Sequence, residues 1–303
     1  MEFLIISSIK IVLILGIILF VVTNLVYVER RVSAFIQNRI GPNRVGPFGL
    51  LQSPADVLKL FIKEDIVPFK ADKFLHMLAP VISIAVALVT FAVIPFGSTL
   101  SLFGYEVKMM IADVNIGVLY ILALTSLGVY GVTLSGWSSN NKYSLLGGLR
   151  SSAQLISYEL SMGLSIIGVI MIAGTLELDR IVELQAGFSW NLFLTPIGFI
   201  TFVVASFAET NRLPFDLPEA EPELVGGYHT EYSGMKFGTF FLAEYANMIT
   251  SSALIVTLFL GGWQFPYLES FGLSPMVQGI VHILTFCAKV SLMLLFYVWI
   301  RWT

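Results

Sequence analysis

An all-α polytopic membrane protein with about seven transmembrane helices is the fold class that this sequence predicts. Three observations carry it. The 303 residues are 56% hydrophobic and 12% charged, with a mean hydropathy of +0.85, well outside the range of soluble domains. Seven stretches, near 3–26, 75–96, 115–136, 154–174, 191–208, 238–262 and 277–300, approach the ~20 apolar residues needed to cross a bilayer. The polar residues gather in two segments, 27–74 and 209–237, so the whole chain, 1–303, reads as a single integral membrane domain with two inner-side loops.

The first stretch is too long, and lacks the small-residue cleavage site, to be a removed signal peptide. Basic residues then set the orientation. Arg30, Arg31, Arg39, Arg44, Lys59, Lys63, Lys70 and Lys73 follow the first span, and alternate loops add Lys142, Arg150, Arg212, Lys236 and Arg301. The opposite loops carry Lys108 and Arg180. The positive-inside rule therefore predicts an outside N-terminus, with both polar segments on the inner face.

Residues 28–49, VERRVSAFIQNRIGPNRVGPFG, form a basic segment punctuated by Gly41-Pro42 and Gly46-Pro47. Alone it could be an anchor on anionic lipid headgroups. Beyond it, Ser53-Pro54-Ala55-Asp56 reads as a helix start with a hydroxyl cap, a first-turn proline and an acid three residues after the cap. Val57, Leu58, Phe61 and Ile62 form one face and Asp56, Lys59 and Lys63 the other, which predicts an interfacial helix too short to span. Beside the proline-kinked turn, it could frame a lateral opening for a lipid-like molecule.

Several spans carry ionisable groups. Glu159 shares the fourth with Ser157, Ser161 and Ser165, and Glu209 closes the fifth. Glu244 lies on one face of the sixth with Asn247 and Ser251, and Lys289 on one face of the seventh with His282 and Thr285. A charge at mid-bilayer costs at least ~2.5–3.5 kcal/mol on insertion scales, whereas interhelical polar contacts contribute only ~0.6 kcal/mol on average. Structural pairing is thus a poor reason to carry them, and a hydrated proton path is the better one. The loop ETNRLPFDLPEAEPELVGGYHTE, 209–231, holds Glu209, Asp216, Glu219, Glu221, Glu223 and Glu231 against the lone cation Arg212. A solvated loop would not need the apolar residues and the prolines at 214, 218 and 222 threaded through it.

The single cysteine, Cys287, cannot ligate an iron–sulfur cluster, and His76, His229 and His282 lie in different segments with no paired spacing for haem or zinc. No Gly-rich phosphate loop is visible. The chain reads as one working part of a larger assembly, without a redox centre or nucleotide site of its own.

Two long motifs, ERRVSAFIQNRIGPNRVGPFGLLQSPADVLKLFIKED and AETNRLPFDLPEAEPELVGGYHTEYSGMKF, resemble the hallmark segments of the NuoH family of membrane subunits of respiratory complex I, the proton-translocating NADH:quinone oxidoreductase. The resemblance runs along essentially the whole chain, and GGYHTEYSGMKFGTFFLAEYANM is closer to the bacterial than to the animal mitochondrial form. It implies an eight-helix protein of the bacterial inner membrane, or alternatively of the mitochondrial inner membrane. Quinone (ubiquinone or menaquinone) would be the substrate, with no bound redox cofactor here and catalytic residues supplied by a neighbouring hydrophilic subunit. Implied partners are the quinone-site and iron–sulfur subunits of the redox arm, small and antiporter-like membrane subunits, and lipid, but no nucleic acid.

Carried onto this chain, the quinone-cavity candidates are Glu29, Arg30, Gln37, Arg39, Asp56, Arg212 and Phe215. The acidic path would comprise Asp216, Glu219, Glu221, Glu223 and Glu231, then Glu209, Glu159 and Glu244, with Lys289 matching a family lysine. Arg30, Arg39 and Arg212 would position the acidic loop and offset its charge. The family continues into a basic turn and an eighth helix, whereas this sequence ends at Arg301-Trp302-Thr303; a truncated sequence is the expectation. A membrane subunit of an energy-converting hydrogenase, an ion-coupled secondary transporter and a structural anchor are the competing readings. The anchor leaves Glu159, Glu244 and Lys289 unexplained, and no internal repeat supports the transporter.

Overall fold

A computed structural model describes residues 2–102, 105–187, 189–216, 221–266 and 274–303 of the chain. Among these, six helices are long and apolar enough to cross a membrane. They are α1 (Glu2–Ile36), α3 (Lys73–Val89, continued as a tighter turn to Val93), α4 (Gly117–Ser138), α5 (Lys142–Ala173), α10 (Gly234–Phe259) and α11 (Pro275–Trp302). Between them lie the interfacial helix α2 (Gln52–Ile62), a hairpin of β1 (Thr99–Leu102) and β2 (Tyr105–Lys108), and the short helices α6 (Leu178–Leu184), α7 (Asn191–Leu194), α8 (Pro196–Glu209) and α9 (Glu221–Leu224).

Local chemistry fixes the helix ends. The Asp72 carboxylate accepts from the Phe74 and Leu75 amides at 3.0 and 3.2 Å to cap α3, and Asn141 caps α5 through the Tyr143 amide. Gly174, at φ 65°, closes α5 in the left-handed conformation that glycine adopts without a Cβ penalty.

Three sequence expectations change. The first helix does not stop near residue 26 but runs to Ile36, because Glu29 and Arg31 are held by partners rather than solvated in a loop. Helix α2 begins at Gln52 with Leu51 in the cap position, so Ser53 is not the cap, and its buried hydroxyl makes no hydrogen bond to the described residues. The fifth span is not one helix. Pro196 has no amide hydrogen and disfavours helix at the residue before it, so Thr195 sits at φ −129°, ψ 62° and splits 191–208 into α7 and α8.

Helix α10 is the hub. In its most apolar window 78% of residues are buried, against 22–33% for the other spans, which keep one face outward for lipid or neighbouring subunits. Small residues allow close approach at the neighbouring α4 and α5, as is usual for membrane helices. A Cβ on Gly136 would lie 2.6 Å from the Ser144 carbonyl oxygen, joining the end of α4 to the start of α5. A Cβ on Gly147 would lie 2.6 Å from the Gly227 Cα, so α5 seats the backbone of the acidic loop directly.

Gly147→Ala therefore cannot be absorbed by a flexible side chain, and overpacking against backbone should cost about 1–3 kcal/mol. A clear fall in the thermal unfolding temperature of the detergent-solubilised protein is expected; no fall would show that the loop is not seated on α5.

Candidate functional site

The end of α1, the loop after α8, the third turn of α10 and the last turn of α11 converge on one charged cluster. Arg212, 3% exposed, points Nη1 at both Glu29 carboxylate oxygens at 3.1 Å and sets Nε 2.7 Å from Glu244 Oε1. Glu29 also accepts from the Tyr245 hydroxyl at 2.7 Å and from Arg301 Nη1 at 2.8 Å. The Arg212 guanidinium lies 4.4 Å from the centroid of the Tyr245 ring, a cation–π arrangement.

Two carboxylates and two guanidiniums make the cluster formally neutral, which is how buried charge is tolerated. Burial alone would push the Arg212 guanidinium down, but Glu244 and then Glu29 hold it above its ordinary range, so it is a permanent cation. Locally, the Arg212 amide donates to the Phe207 carbonyl at 3.2 Å and the Phe215 amide to the Arg212 carbonyl at 2.8 Å, folding the chain back on the end of α8. Gln154 on α5 secures that fold by donating to the Ala208 and Phe215 carbonyls at 2.9 and 2.8 Å.

Beside the cluster lies a cavity of about 60 Å³ whose lining includes Glu209, Glu244, Asn247, Asn211, Ser83 and Thr125. A single water needs only ~10–15 Å³ by the same measure, and a polar lining favours hydration. Glu159 on α5 is bonded to the Ser126 hydroxyl of α4 and lies close enough to Glu209 for the two carboxylates to repel. The structure thus brings Glu159, Glu209 and Glu244, scattered over 85 positions in sequence, to one region.

The other candidates are distributed. Arg30 pairs with Asp56 at 2.5 Å, tying α1 to α2, and Arg39 donates to Gln37 at 2.7 Å. Neither meets the acidic loop in these contacts; its Glu223 is paired instead with the exposed Arg150 at 2.6 Å. Glu231 accepts from Asn141 at 2.5 Å, and Phe215 packs edge-on against Tyr158 at 5.3 Å. Asp216 is half-buried at the end of the refolded turn. Glu219 lies outside the described residues, and the side chain of Glu221 is likewise not described.

Lys289 does not join the carboxylates. Its ammonium donates to the carbonyls of Leu260, Gly262 and Gln264 at 2.7, 3.0 and 2.8 Å. That is the C-terminal end of α10, where a cation complements the helix dipole, about 24 Å by helix rise from Glu244. Likewise Ser157 and Ser161 face outward from α5 rather than toward Glu159. Sequence reasoning missed Tyr245, Gln154 and Ser126, and counted Arg301 only as a topological charge. Tyr245, next to Glu244, and Arg301, a cation closing the last helix, could have been found from their position beside ionisable or terminal features.

The sequence pattern of the family described as NADH dehydrogenase matches residues 9–303. The NADH-quinone oxidoreductase subunit 8 of Rhodothermus marinus is 54% identical over 301 residues, covering 96% of this chain and 86% of that protein. An NADH-quinone oxidoreductase subunit of Cytophaga hutchinsonii is 50% identical over 302 residues, with 100% and 88% covered. One from Salinibacter ruber is 54% identical over 289 residues, with 92% and 81% covered.

Removing Arg212 takes the cation from Glu244 and leaves two carboxylates facing the single guanidinium of Arg301; breaking a buried pair in this way typically costs about 3–5 kcal/mol. Arg212→Met should sharply lower the unfolding temperature of the purified protein. Adding Glu29→Gln should recover part of that loss, since it restores the cluster's neutrality with Arg301 and Glu244 remaining; an unchanged unfolding temperature in Arg212→Met would refute the arrangement.

Proposed function

This chain belongs to the NADH dehydrogenase family and is a membrane subunit of an NADH:quinone oxidoreductase; from that premise we propose that it frames part of the quinone chamber and couples quinone reduction to proton movement. Other subunits of the complex supply the electrons, through an iron–sulfur cluster, and the catalytic residues that touch the quinone head. The basic segment with α2 and the refolded turn 209–216 form the walls that this chain contributes. The exposed apolar face of α2, with Leu58, Phe61 and Ile62 outward, suits an opening toward lipid. Both polar segments lie on the inner side of a bacterial cytoplasmic membrane in this reading.

The observation that carries the coupling is the position of Arg212, shared between Glu29 on the quinone-side helix end and Glu244 on the cavity wall. Quinone reduction creates negative charge and a demand for protons. Where water is scarce, such a change acts strongly on neighbouring charges. A guanidinium held by two carboxylates answers by shifting its share between them. Strengthening its hold on Glu29 loosens Glu244, which can then take a proton from the cavity water. Glu209 and Glu159 extend the site along α8 and α5, so the proton can be passed between carboxylates and on toward the other membrane subunits. Protons are held and moved here; no electron is.

Two measurements test this. Photo-crosslinking by a quinone analogue in the assembled complex should label residues in 30–61 and 209–216, and labelling elsewhere would remove the chamber assignment. Glu209→Gln and Glu244→Gln should each slow proton translocation on the order of tenfold. That is below the ~10²–10⁴ of a lone positioned acid–base, because the neighbouring carboxylate shares the task. Wild-type pumping in both variants would sink the coupling role.

A further inference from the structure

We propose that His76 is a proton-uptake site of this subunit, an imidazole that takes protons from the aqueous face beside the charged cluster and delivers them to the carboxylate cavity. The inference rests on the cavity reading above and adds the route by which that cavity is filled.

His76 lies one turn into α3 and is fully buried. Its ring stacks flat on Tyr232, centroids 4.0 Å apart and planes 6° from parallel. The Glu231 backbone lies close enough to interact with the ring, yet neither Nδ1 nor Nε2 makes a well-formed hydrogen bond to the described residues. Leaving buried polar atoms in that state costs about 1–3 kcal/mol. Phenylalanine would stack on Tyr232 equally well without that cost, so packing alone does not account for an imidazole.

The helix around it is built to lead inward. Pro80, four residues on, has no amide hydrogen, so the His76 carbonyl loses its usual helical donor. Ser83, seven residues from His76 and so on the same face of α3, lines the cavity with Glu209 and Glu244. The separation along the helix is about 10 Å, too far for direct transfer and about the length of a chain of three waters at ~2.8 Å per step. Between the two stand Ala79, the smallest side chain available, and the aromatic pair Tyr232–Phe240, whose rings meet edge-on at 4.9 Å. Phe240 itself lines the cavity, so this thin apolar layer is the barrier that a proton must cross.

On the aqueous side, three charged groups act on the ring from other elements: Lys236 of α10, Asp65 of the turn after α2, and Glu231 of the acidic loop. Lys236 and Asp65 are paired at 2.8 Å, and Asp65 is half exposed, so solvent reaches this point. Both signs of charge therefore stand at this end of α3, on elements other than its own. The proton would arrive on one ring nitrogen from water beside Asp65, leave to water entering past Ala79, and end on Glu244 or Glu209. The imidazole returns to its neutral form, and charge is conserved at each step.

The test uses the intact complex in sealed vesicles, comparing wild type with His76→Phe and His76→Gln. Both variants should keep the quinone KM while proton translocation falls several-fold, most at alkaline pH, where proton supply limits. A structural role would instead be repaired by Phe, which fits the same slot. If His76→Phe pumps at the wild-type rate at every pH, the proposal is overturned. If one variant fails to assemble, the other decides on the same readouts. Glu209→Gln measured alongside separates the two readings: loss there with normal pumping in His76→Phe removes His76 and spares the cavity, whereas silence in both removes both.

Discussion

A guanidinium that cannot give up its proton, buried among four chain segments, is the constraint on which one end of this helix bundle depends. Arg212 comes from a loop, Glu29 from α1, Glu244 and Tyr245 from α10, and Arg301 from α11. None of these groups is affordable alone in a low-dielectric interior. Each element must therefore reach the same place for any of them to be buried. The loop 210–216 consequently behaves as part of the helix bundle rather than as a surface connection, and Gln154 reinforces it from α5.

The two ends of the bundle are joined by different physics. At the end that holds Arg212, paired charges and aromatic rings bind helices around a small polar-lined cavity. At the other, neutral carbonyls do the work: Lys289 spans Leu260, Gly262 and Gln264, and Gln185 bonds the Thr257 carbonyl and the Gly261 amide. Between the ends, Ile255, Val256, Phe202 and Phe286 form a dry apolar core. Glu159, Glu209 and Glu244 are thus gathered toward one end of the bundle.

Hydropathy alone made the helices legible, because a lipid-exposed face must be apolar and most spans here keep one. The gathering of Glu159, Glu209 and Glu244 was legible too, since the cost of an intramembrane carboxylate demands shared water or partners. Partner identity was less legible. Charge counting suggested that Arg30 and Arg39 would neutralise the acidic loop, yet Arg30 is taken by Asp56 on the neighbouring α2 and Arg150 reaches Glu223 instead. Periodicity puts Lys289 on a face of its helix but says nothing of depth, and depth decides that it meets carbonyls rather than carboxylates. The end of α1 was misjudged for a related reason. Charged residues ordinarily end a span, but Glu29 is buried because its partners arrive from positions 212, 245 and 301.

The division of 191–208 at Pro196 has a consequence for the surrounding lipid. Helix α8 has 14 residues, about 21 Å at 1.5 Å per residue, against a hydrocarbon layer of ~30 Å. A segment that short is matched only where the bilayer thins or where another protein covers it. Because α8 ends at Glu209, any such thinning brings the headgroup region toward that carboxylate. Membrane thickness thereby becomes a variable of this carboxylate's surroundings: thicker lipid would bury Glu209 further and thinner lipid would hydrate it.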